Sequence, residues 1–269
     1  MTDDSSVQAA KNDHGSGFRV KLKNVSFTPP RNSRKILDIP SLEIAPGEFV
    51  AVIGSNSAGK SSLLKAIAGE LRGVEGEVTI GEQPIDRPVN QVIDGVGIVH
   101  QFDDYDLIEH LSVAQNIAIR QLLGGGHKSK IFAVTSGFLR DVRQELASKA
   151  EPSAVDVDLL VRNLAGGKRQ MLSVAIAIHL EHKMNPCHLL LLDEHTSRLD
   201  HQNAKTVMEY TASEVRRIKT TALMVTHKYT DALLADRILV IVEGKIVKDV
   251  VPEQVTIDEL NSWVEGREI

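Results

Sequence analysis

The residues with the clearest capacity for chemistry lie in one segment, from Gly54 to Ser62, hereafter the phosphate loop. Its sequence, Gly-Ser-Asn-Ser-Ala-Gly-Lys-Ser-Ser, fits the pattern G-x-x-x-x-G-K-[ST] and stands between an apolar run and a helical pattern. In this motif the backbone N–H groups turn inward around a phosphate, and the following helix directs the positive end of its dipole at the same anion. A chance turn rich in glycine and serine is the alternative, which the agreement of both flanking segments disfavours.

The side chains of the phosphate loop have separate expected tasks. Lys60 places a cation on the terminal phosphates, the Ser61 hydroxyl is a hard oxygen ligand for Mg²⁺, and Ser62 lies near the α-phosphate. Ser57 is costly if the backbone there has a positive φ, because glycine adopts that conformation more easily. The sequence therefore predicts a nucleotide site formed by Gly54, Ser55, Asn56, Ser57, Ala58, Gly59, Lys60, Ser61 and Ser62.

Two adjacent carboxylates follow a second apolar run, His188–Leu192. Asp193 suits a contact to Mg²⁺, and Glu194 suits the task of polarising an attacking water molecule. A positioned general base contributes about 10²–10⁴-fold to a rate. An acidic strand end that faces solvent is the alternative, but the phosphate loop upstream favours the catalytic interpretation.

The segments that must position these residues alternate between short apolar runs and helical stretches, which predicts an α/β fold. A buried strand is expected before the phosphate loop, and the helix after the loop should stop at Gly69. Parallel sheets bind ligands at the carboxyl ends of their strands, and each further apolar run stops at a polar residue. The predicted strands are Phe49–Ile53, Gly97–His100, His188–Leu192 and Ala222–Thr226, with a hairpin at Arg237–Val242 and Lys245–Val247 and a buried helix at Met171–Leu180.

The composition indicates one large globular domain. The 269 residues include 31 basic and 36 acidic side chains, a net charge of −5, which argues against a general binder of nucleic-acid backbones. The single cysteine, Cys187, forms no internal disulfide, as expected in a reducing compartment. Because no apolar run approaches roughly 18 residues and the N-terminus lacks signal-peptide features, the sequence predicts a cytoplasmic protein.

Changes in composition along the chain predict its domain organisation. Residues 1–17 are polar and typical of a disordered tail. An α/β domain is expected over 18–252, with an inserted helical subdomain at about 103–175 and a C-terminal extension over 253–269.

Four further segments, in a fixed order, make the chain resemble the ATP-binding-cassette ATPases, the nucleotide-binding subunits of ABC transporters. Gln101 matches the family's Q-loop glutamine, and Leu164–Gln170 is similar to its signature Leu-Ser-Gly-Gly-Gln. Ser197–Asp200 resembles the D-loop, and His227 matches the switch histidine. The resemblance covers about 20–250, nearly the whole chain.

The resemblance implies a P-loop NTPase (RecA-like) α/β core with an antiparallel β-subdomain and an inserted α-helical subdomain. It also implies that two such subunits, identical or paired, close head-to-tail around ATP and Mg²⁺. The signature of one subunit then faces the phosphate loop of the other, with His227 at the γ-phosphate. Implied nucleotide or interface contacts come from Ala165, Gly166, Gly167 and Asp200, implied catalytic groups are Glu194, His227 and Gln101, and implied metal contacts are Ser61, Gln101 and Asp193.

The chain departs from the family pattern at three positions. Ala165 replaces the signature serine and Lys168 its glutamine. The missing hydroxyl would donate a charge-assisted hydrogen bond to the γ-phosphate, which is worth roughly 1.5–3 kcal/mol. Slower turnover or weaker closure of the two subunits is therefore expected, and a binding-only regulatory subunit is the alternative. Pro29 stands where the family stacks an aromatic ring on adenine, so the sequence identifies no base-stacking residue.

The family resemblance implies an ATPase that powers a separate transmembrane permease, as an importer of a small, amino-acid-like solute. A solute-binding protein is a further implied partner, whereas nucleic acid is not. The implied location is cytoplasmic, peripheral on the inner face of the cell membrane. A soluble ATPase of cofactor assembly is the alternative from another functional class.

Overall fold

The computed structural model describes residues 17–30, 33–101, 107–124, 156–180 and 187–267. The predicted tail lies outside the described residues except for Gly17, which is buried where an added Cβ would lie 2.2 Å from the backbone nitrogen of Thr221. The middle of the predicted helical insertion, 125–155, also lies outside them. The predicted division into a tail over 1–17, a domain over 18–252 with its helical insertion, and an extension over 253–269 stays a prediction.

A six-stranded sheet forms the centre of the described structure, in the order β10-β9-β3-β8-β7-β6. Neighbouring strands from β9 to β6 run parallel, and β10 pairs antiparallel with β9. The inner strands are continuous apolar runs because helices or a second sheet cover both faces. The bounds are β3 Phe49–Ile53, β6 Val96–Val99, β7 Leu189–Asp193, β8 Thr221–Val225, β9 Arg237–Val242 and β10 Lys245–Val250.

Four parallel strands of this sheet end side by side, and this edge positions the site. Asp193 at the end of β7 is in register with Val225 of β8, and Val52 of β3 is in register with the same residue. The segments that follow β3, β6, β7 and β8 therefore meet at one edge, as predicted for the carboxyl ends of parallel strands.

A second, antiparallel sheet packs beside the first in the order β2-β1-β4-β5, as the predicted β-subdomain requires. Arg237 of β9 joins the two sheets, since its Nη1 donates to the backbone oxygen of Glu43, 2.9 Å away. The bounds are β1 Val20–Phe27, β2 Leu37–Ile44, β4 Val74–Ile80 and β5 Gln83–Pro84.

Helices cover the central sheet. The described α-helices are α1 Lys60–Ile67, α2 Val113–Gly124, α3 Gly166–Ala175, α4 His201–Ile218, α5 Tyr229–Ala232 and α6 Ile257–Val264. Short 3₁₀ turns occupy Val89–Gln91, Val161–Asn163 and Pro252–Gln254. Of the helices in the described ranges, none combines the length and the apolar character that a membrane crossing requires.

The observed bounds of one helix and four strands differ from those predicted. The strand predicted at His188–Leu192 lies one residue later, at Leu189–Asp193, and the strand predicted at Lys245–Val247 extends to Val250. The helix predicted at Met171–Leu180 begins five residues earlier, at Gly166, and its last turn, Ile176–Leu180, has π-helical geometry. Glycine weakens helix interiors but here occupies the first two helical positions. The strands predicted at Gly97–His100 and Ala222–Thr226 each lie one residue earlier, because their last polar residues already belong to the loops.

Candidate functional site

The phosphate loop connects β3 to α1 and is shaped by close backbone approaches. An added Cβ on Gly59 would lie 2.6 Å from the Ile36 oxygen, and Gly59 has a φ of 105°. Ser57 adopts a φ of 66°, so the conformational cost predicted there is confirmed. Since α1 begins at Lys60, its first free N–H groups and its positive dipole end point into the loop.

The Lys60 side chain reaches back to the first residues of the phosphate loop. Its Nζ donates to the backbone oxygens of Gly54, at 2.9 Å, and Ser55, at 3.0 Å, and the residue is only 5% exposed. Burial lowers the pKa of Lys60, and the charges of Glu194 and Asp193 oppose that change. The loop thus holds a desolvated cation next to two carboxylates.

Ser61 and Asp193 bring the start of α1 and the end of β7 together. The Ser61 Oγ donates to Oδ1 of Asp193 at 2.9 Å. Burial raises the pKa of Asp193, whereas the hydrogen bond from Ser61 lowers it. In the described ranges no group of three His, Cys, Asp or Glu side chains forms a metal cage. A hydroxyl beside one carboxylate fits Mg²⁺, which takes few protein oxygens and keeps waters and substrate phosphates as its other ligands.

Two of the predicted catalytic side chains, those of Gln101 and His227, approach one carboxylate oxygen of the third, Glu194. Gln101 Nε2 donates to Oε2 of Glu194 at 3.0 Å, and His227 Nδ1 lies 3.5 Å from the same oxygen. These residues follow β6, β7 and β8, whose ends are adjacent in the sheet. Glu194 itself has a left-handed φ of 45°, and its N–H donates to the Val225 oxygen at 2.9 Å.

The signature segment forms a second group with the start of α4. Ala165 caps α3 in an extended conformation without a side-chain hydrogen bond, and Gly166 and Gly167 are the first helical residues. An added Cβ on Gly167 would lie 2.6 Å from Oδ1 of Asn203. Oδ1 of Asp200 accepts a hydrogen bond from the N–H of Asn203 at 3.0 Å, and its Oδ2 accepts one from Nδ2 of the same residue. These two bonds lower the pKa of Asp200.

The predicted site residues thus fall into two groups. The phosphate loop, Asp193, Glu194, Gln101 and His227 lie together, whereas Asp200 and Gly167 of the signature both contact Asn203. Sequence reasoning missed Asn203, because nothing in the spacing of the D-loop marks the residue that contacts a distant glycine. It also missed Thr196, Lys228 and Asp231, ordinary polar residues that become notable only when two loops are seen side by side.

His195 directly follows Glu194 in the chain and is 3% exposed. Its Nε2 is 3.4 Å from Oγ1 of Thr211, whose hydroxyl donates to the Val207 oxygen at 2.8 Å. Burial, together with the charge of Lys228, lowers the pKa of His195 to about 3. This burial and the Thr211 contact support a packing role for His195.

Protonation of His195 should therefore limit stability in mild acid. An unfolded histidine binds its proton near pH 6.5, whereas the folded one does not until about pH 3. Stability is then lost as the pH falls below 6.5, by up to about 1.4 kcal/mol per pH unit. His195→Gln should reduce the loss between pH 7.5 and 5.5 by about 1 kcal/mol in metal-free denaturant titrations. Equal losses in both proteins would contradict this.

Comparison with known protein sequences gives a consistent result. A sequence model of the ABC transporter family matches residues 37–197. The chain is 31% identical over 253 residues to a tyrosine transport ATP-binding protein of Clostridioides difficile, covering 90% of this chain and 96% of that protein. It is also 31% identical over 244 residues to an sn-glycerol-3-phosphate import ATP-binding protein of Chromobacterium violaceum, covering 88% of this chain. The chain spans 60% of the length of that relative.

Solved structures share the fold. A dimeric ATP-binding cassette in a post-hydrolysis state, bound to ADP and Pi, matches with a TM-score of 0.65 at 23% identity. The match covers 87% of this chain and 98% of that one. The predicted fold class, an α/β P-loop NTPase core with an antiparallel β-subdomain and a helical insertion, is confirmed.

Proposed function

Because this chain belongs to the ABC transporter family and is an ATPase of that family, we propose that it hydrolyses Mg²⁺-bound ATP between two copies to drive a separate transmembrane permease. One observation carries the chemical part of this proposal. Gln101 and His227 both contact Oε2 of Glu194, beside the Ser61–Asp193 hydrogen bond. A general base, two polar neighbours and a metal-binding hydroxyl thus meet at one sheet edge.

Ser61, Asp193 and Gln101 are the residues proposed to hold Mg²⁺, and their oxygens suit this hard cation. The bound ion supplies positive charge that offsets the negative charge on the transferring phosphoryl group. The raised pKa of Asp193 reflects a desolvated carboxylate that a cation stabilises.

The proposed reaction is an in-line attack of water on the γ-phosphorus. The new P–O bond forms as the bond to the ADP oxygen breaks, and Glu194 takes the proton of the attacking water. Lys60 and the N–H groups of the phosphate loop neutralise the phosphates, and His227 contacts the γ-phosphate. Gln101 orients the water through the same carboxylate that it contacts here.

A second copy is proposed to complete each site. Ala165 caps α3, and Gly166 and Gly167 are its first residues. Their N–H groups and the helix dipole form an anion site, into which the phosphate loop of the other copy places a γ-phosphate. Asp200 would order this interface. Nucleotide then binds the closed pair more tightly than the open one, and hydrolysis removes that difference.

The transported solute and the partners rest on the relatives. Both named relatives are transport or import ATP-binding proteins, which supports an importer of a small solute, a permease with a solute-binding protein, and a place on the inner face of the membrane. Affinity purification of the tagged chain from membranes of its source should recover a permease. Recovery with only soluble partners would favour the alternative, an ATPase of cofactor assembly.

Ala165→Ser should raise both the stability of the folded chain and the kcat for ATP hydrolysis. A serine at the N-cap of α3 accepts a hydrogen bond from the first turn, which is worth about 1 kcal/mol. The same hydroxyl donates to the γ-phosphate, a bond worth roughly 1.5–3 kcal/mol, so kcat should rise about tenfold. Thermal unfolding and phosphate release measure the two effects. Ala165→Gly is the control, since it changes the N-cap residue without adding a hydroxyl, and its kcat should stay at the wild-type value. A kcat for Ala165→Ser equal to that of Ala165→Gly would contradict this prediction.

A further inference from the structure

The segments that carry Glu194 and His227 are joined by more than the sheet. They follow β7 and β8, which are parallel neighbours. Thr196 Oγ1 donates to Oδ2 of Asp231 at 3.0 Å, and Lys228 Nζ donates to the Thr196 oxygen at 3.1 Å. Thr196, Lys228 and Asp231, hereafter the polar clamp, therefore connect one loop to the other twice, through a side chain and through the backbone.

The clamp is built into the interior. Thr196 is 3% exposed and Asp231 is 8% exposed. Burial raises the pKa of Asp231, and the Thr196 hydrogen bond and the Lys228 charge lower it. A buried carboxylate is costly unless it is hydrogen-bonded and paired, so removing either partner should disturb the other.

The clamp also extends to the segment that contains His227. The N–H of Lys228 donates to Oγ1 of Thr226 at 3.0 Å, and the N–H of Asp231 donates to the Lys228 oxygen at 3.1 Å. His227 thus lies between two residues whose positions are set by these bonds. Moving Thr196 would shift the segment on both sides of the histidine.

Glu194 requires such support because its backbone is strained. A non-glycine residue with a φ of 45° occupies a sparsely populated region that persists only where surrounding structure determines it. Two backbone hydrogen bonds, both 2.9 Å long, fix this conformation locally. The N–H of Glu194 donates to the Val225 oxygen, and the N–H of Ser197 donates to the Glu194 oxygen. The clamp begins two residues later and fixes the loop against its neighbour.

We propose that Thr196, Lys228 and Asp231 are positioning residues that hold the Glu194 carboxylate against His227. This inference rests on the proposed function, in which Glu194 is the general base. A displacement of about 1 Å in a catalytic group can cost on the order of 10²-fold in rate. The hydrogen bonds of the clamp run between the segments after β7 and β8 and not to the phosphate loop, so the clamp should affect kcat and not the binding of ATP.

Thr196→Val tests the proposal because it removes the hydroxyl and keeps the shape. We expect kcat to fall by about tenfold to a hundredfold, with the KM for ATP unchanged, and Thr196→Ser to restore most of the rate. Asp231→Asn, which keeps an acceptor oxygen, should lose less activity than Asp231→Leu. Thr220→Val is the matched control, since Thr220 is 1% exposed and precedes β8 at its opposite end; its kcat should not change.

A kcat for Thr196→Val equal to that of the wild type, or equal to that of a similarly impaired Thr220→Val, would overturn the proposal. Hydrogen–deuterium exchange without nucleotide gives a second test. Thr196→Val should speed exchange over 226–231 more than Thr220→Val does, and equal exchange there would also overturn the proposal. A wild-type chain that releases no phosphate would instead contradict the proposed function, and the exchange result would still decide the role of the clamp.

Discussion

Glu194→Gln is expected to lower the kcat for ATP hydrolysis by about 10²–10⁴-fold while ATP remains bound. Glutamine keeps the length of the side chain and an oxygen that accepts the hydrogen bond from Gln101. It cannot take the proton of the attacking water, so the loss should fall on the chemical step. Phosphate release under saturating Mg²⁺-ATP measures kcat, and a fluorescent ATP analogue measures binding.

Glu214→Gln is the matched control for this substitution. Glu214 is paired with Arg217 at 2.7 Å on α4, so the change removes the same charge outside the proposed site. Its kcat should stay at the wild-type value. If Glu194→Gln hydrolysed ATP as fast as Glu214→Gln, Glu194 would not be the base.

Lys60→Met should remove most of the affinity for nucleotide. The methionine fills the space of the lysine stem but leaves the terminal phosphates without their cation. Hydrogen bonds to charged groups are worth roughly 1.5–3 kcal/mol, so the Kd for ATP should rise by about tenfold to a hundredfold. Equilibrium titration with the ATP analogue measures this change.

Lys65→Met provides the control on the same helix. Lys65 is exposed on α1, and its loss should leave the Kd near the wild-type value. Thermal unfolding without nucleotide establishes that Lys60→Met is folded. An unchanged Kd in folded Lys60→Met would show that the phosphate loop does not bind ATP through this lysine.

The parts of the fold that the sequence predicted well are those in which one strong local signal acts alone. The strand Phe49–Ile53 has the predicted bounds, because its apolar run is followed by a motif whose geometry is fixed by glycines. The conformational cost of a serine at position 57 was predictable for the same reason, since the motif requires a positive φ there. The hairpin of β9 and β10 was found through Glu243-Gly244, both of which have positive φ.

The parts that the sequence did not predict depend on contacts between distant segments. The start of α3 was placed too late because Gly166 and Gly167 weaken a helix locally, and only the packing of Asn203 against Gly167 shows why a glycine is used. The clamp joins residues 35 positions apart, and single threonine and aspartate residues carry no periodic signal. Finding the clamp requires the register between β7 and β8, because that register brings the segments after the two strands together.

The measurement that tests the central claim most directly is the mass of the Glu194→Gln chain in solution, with and without Mg²⁺-ATP. The account predicts that ATP converts a monomer into a dimer, because the triphosphate joins the phosphate loop of one copy to the signature of the other. Adding Gly166→Asp should prevent the pair, since a carboxylate then faces the γ-phosphate, and position 166 tolerates a side chain, its nearest contact being Leu199 at 3.6 Å. A Glu194→Gln chain that binds ATP and keeps the mass of one chain would contradict the account.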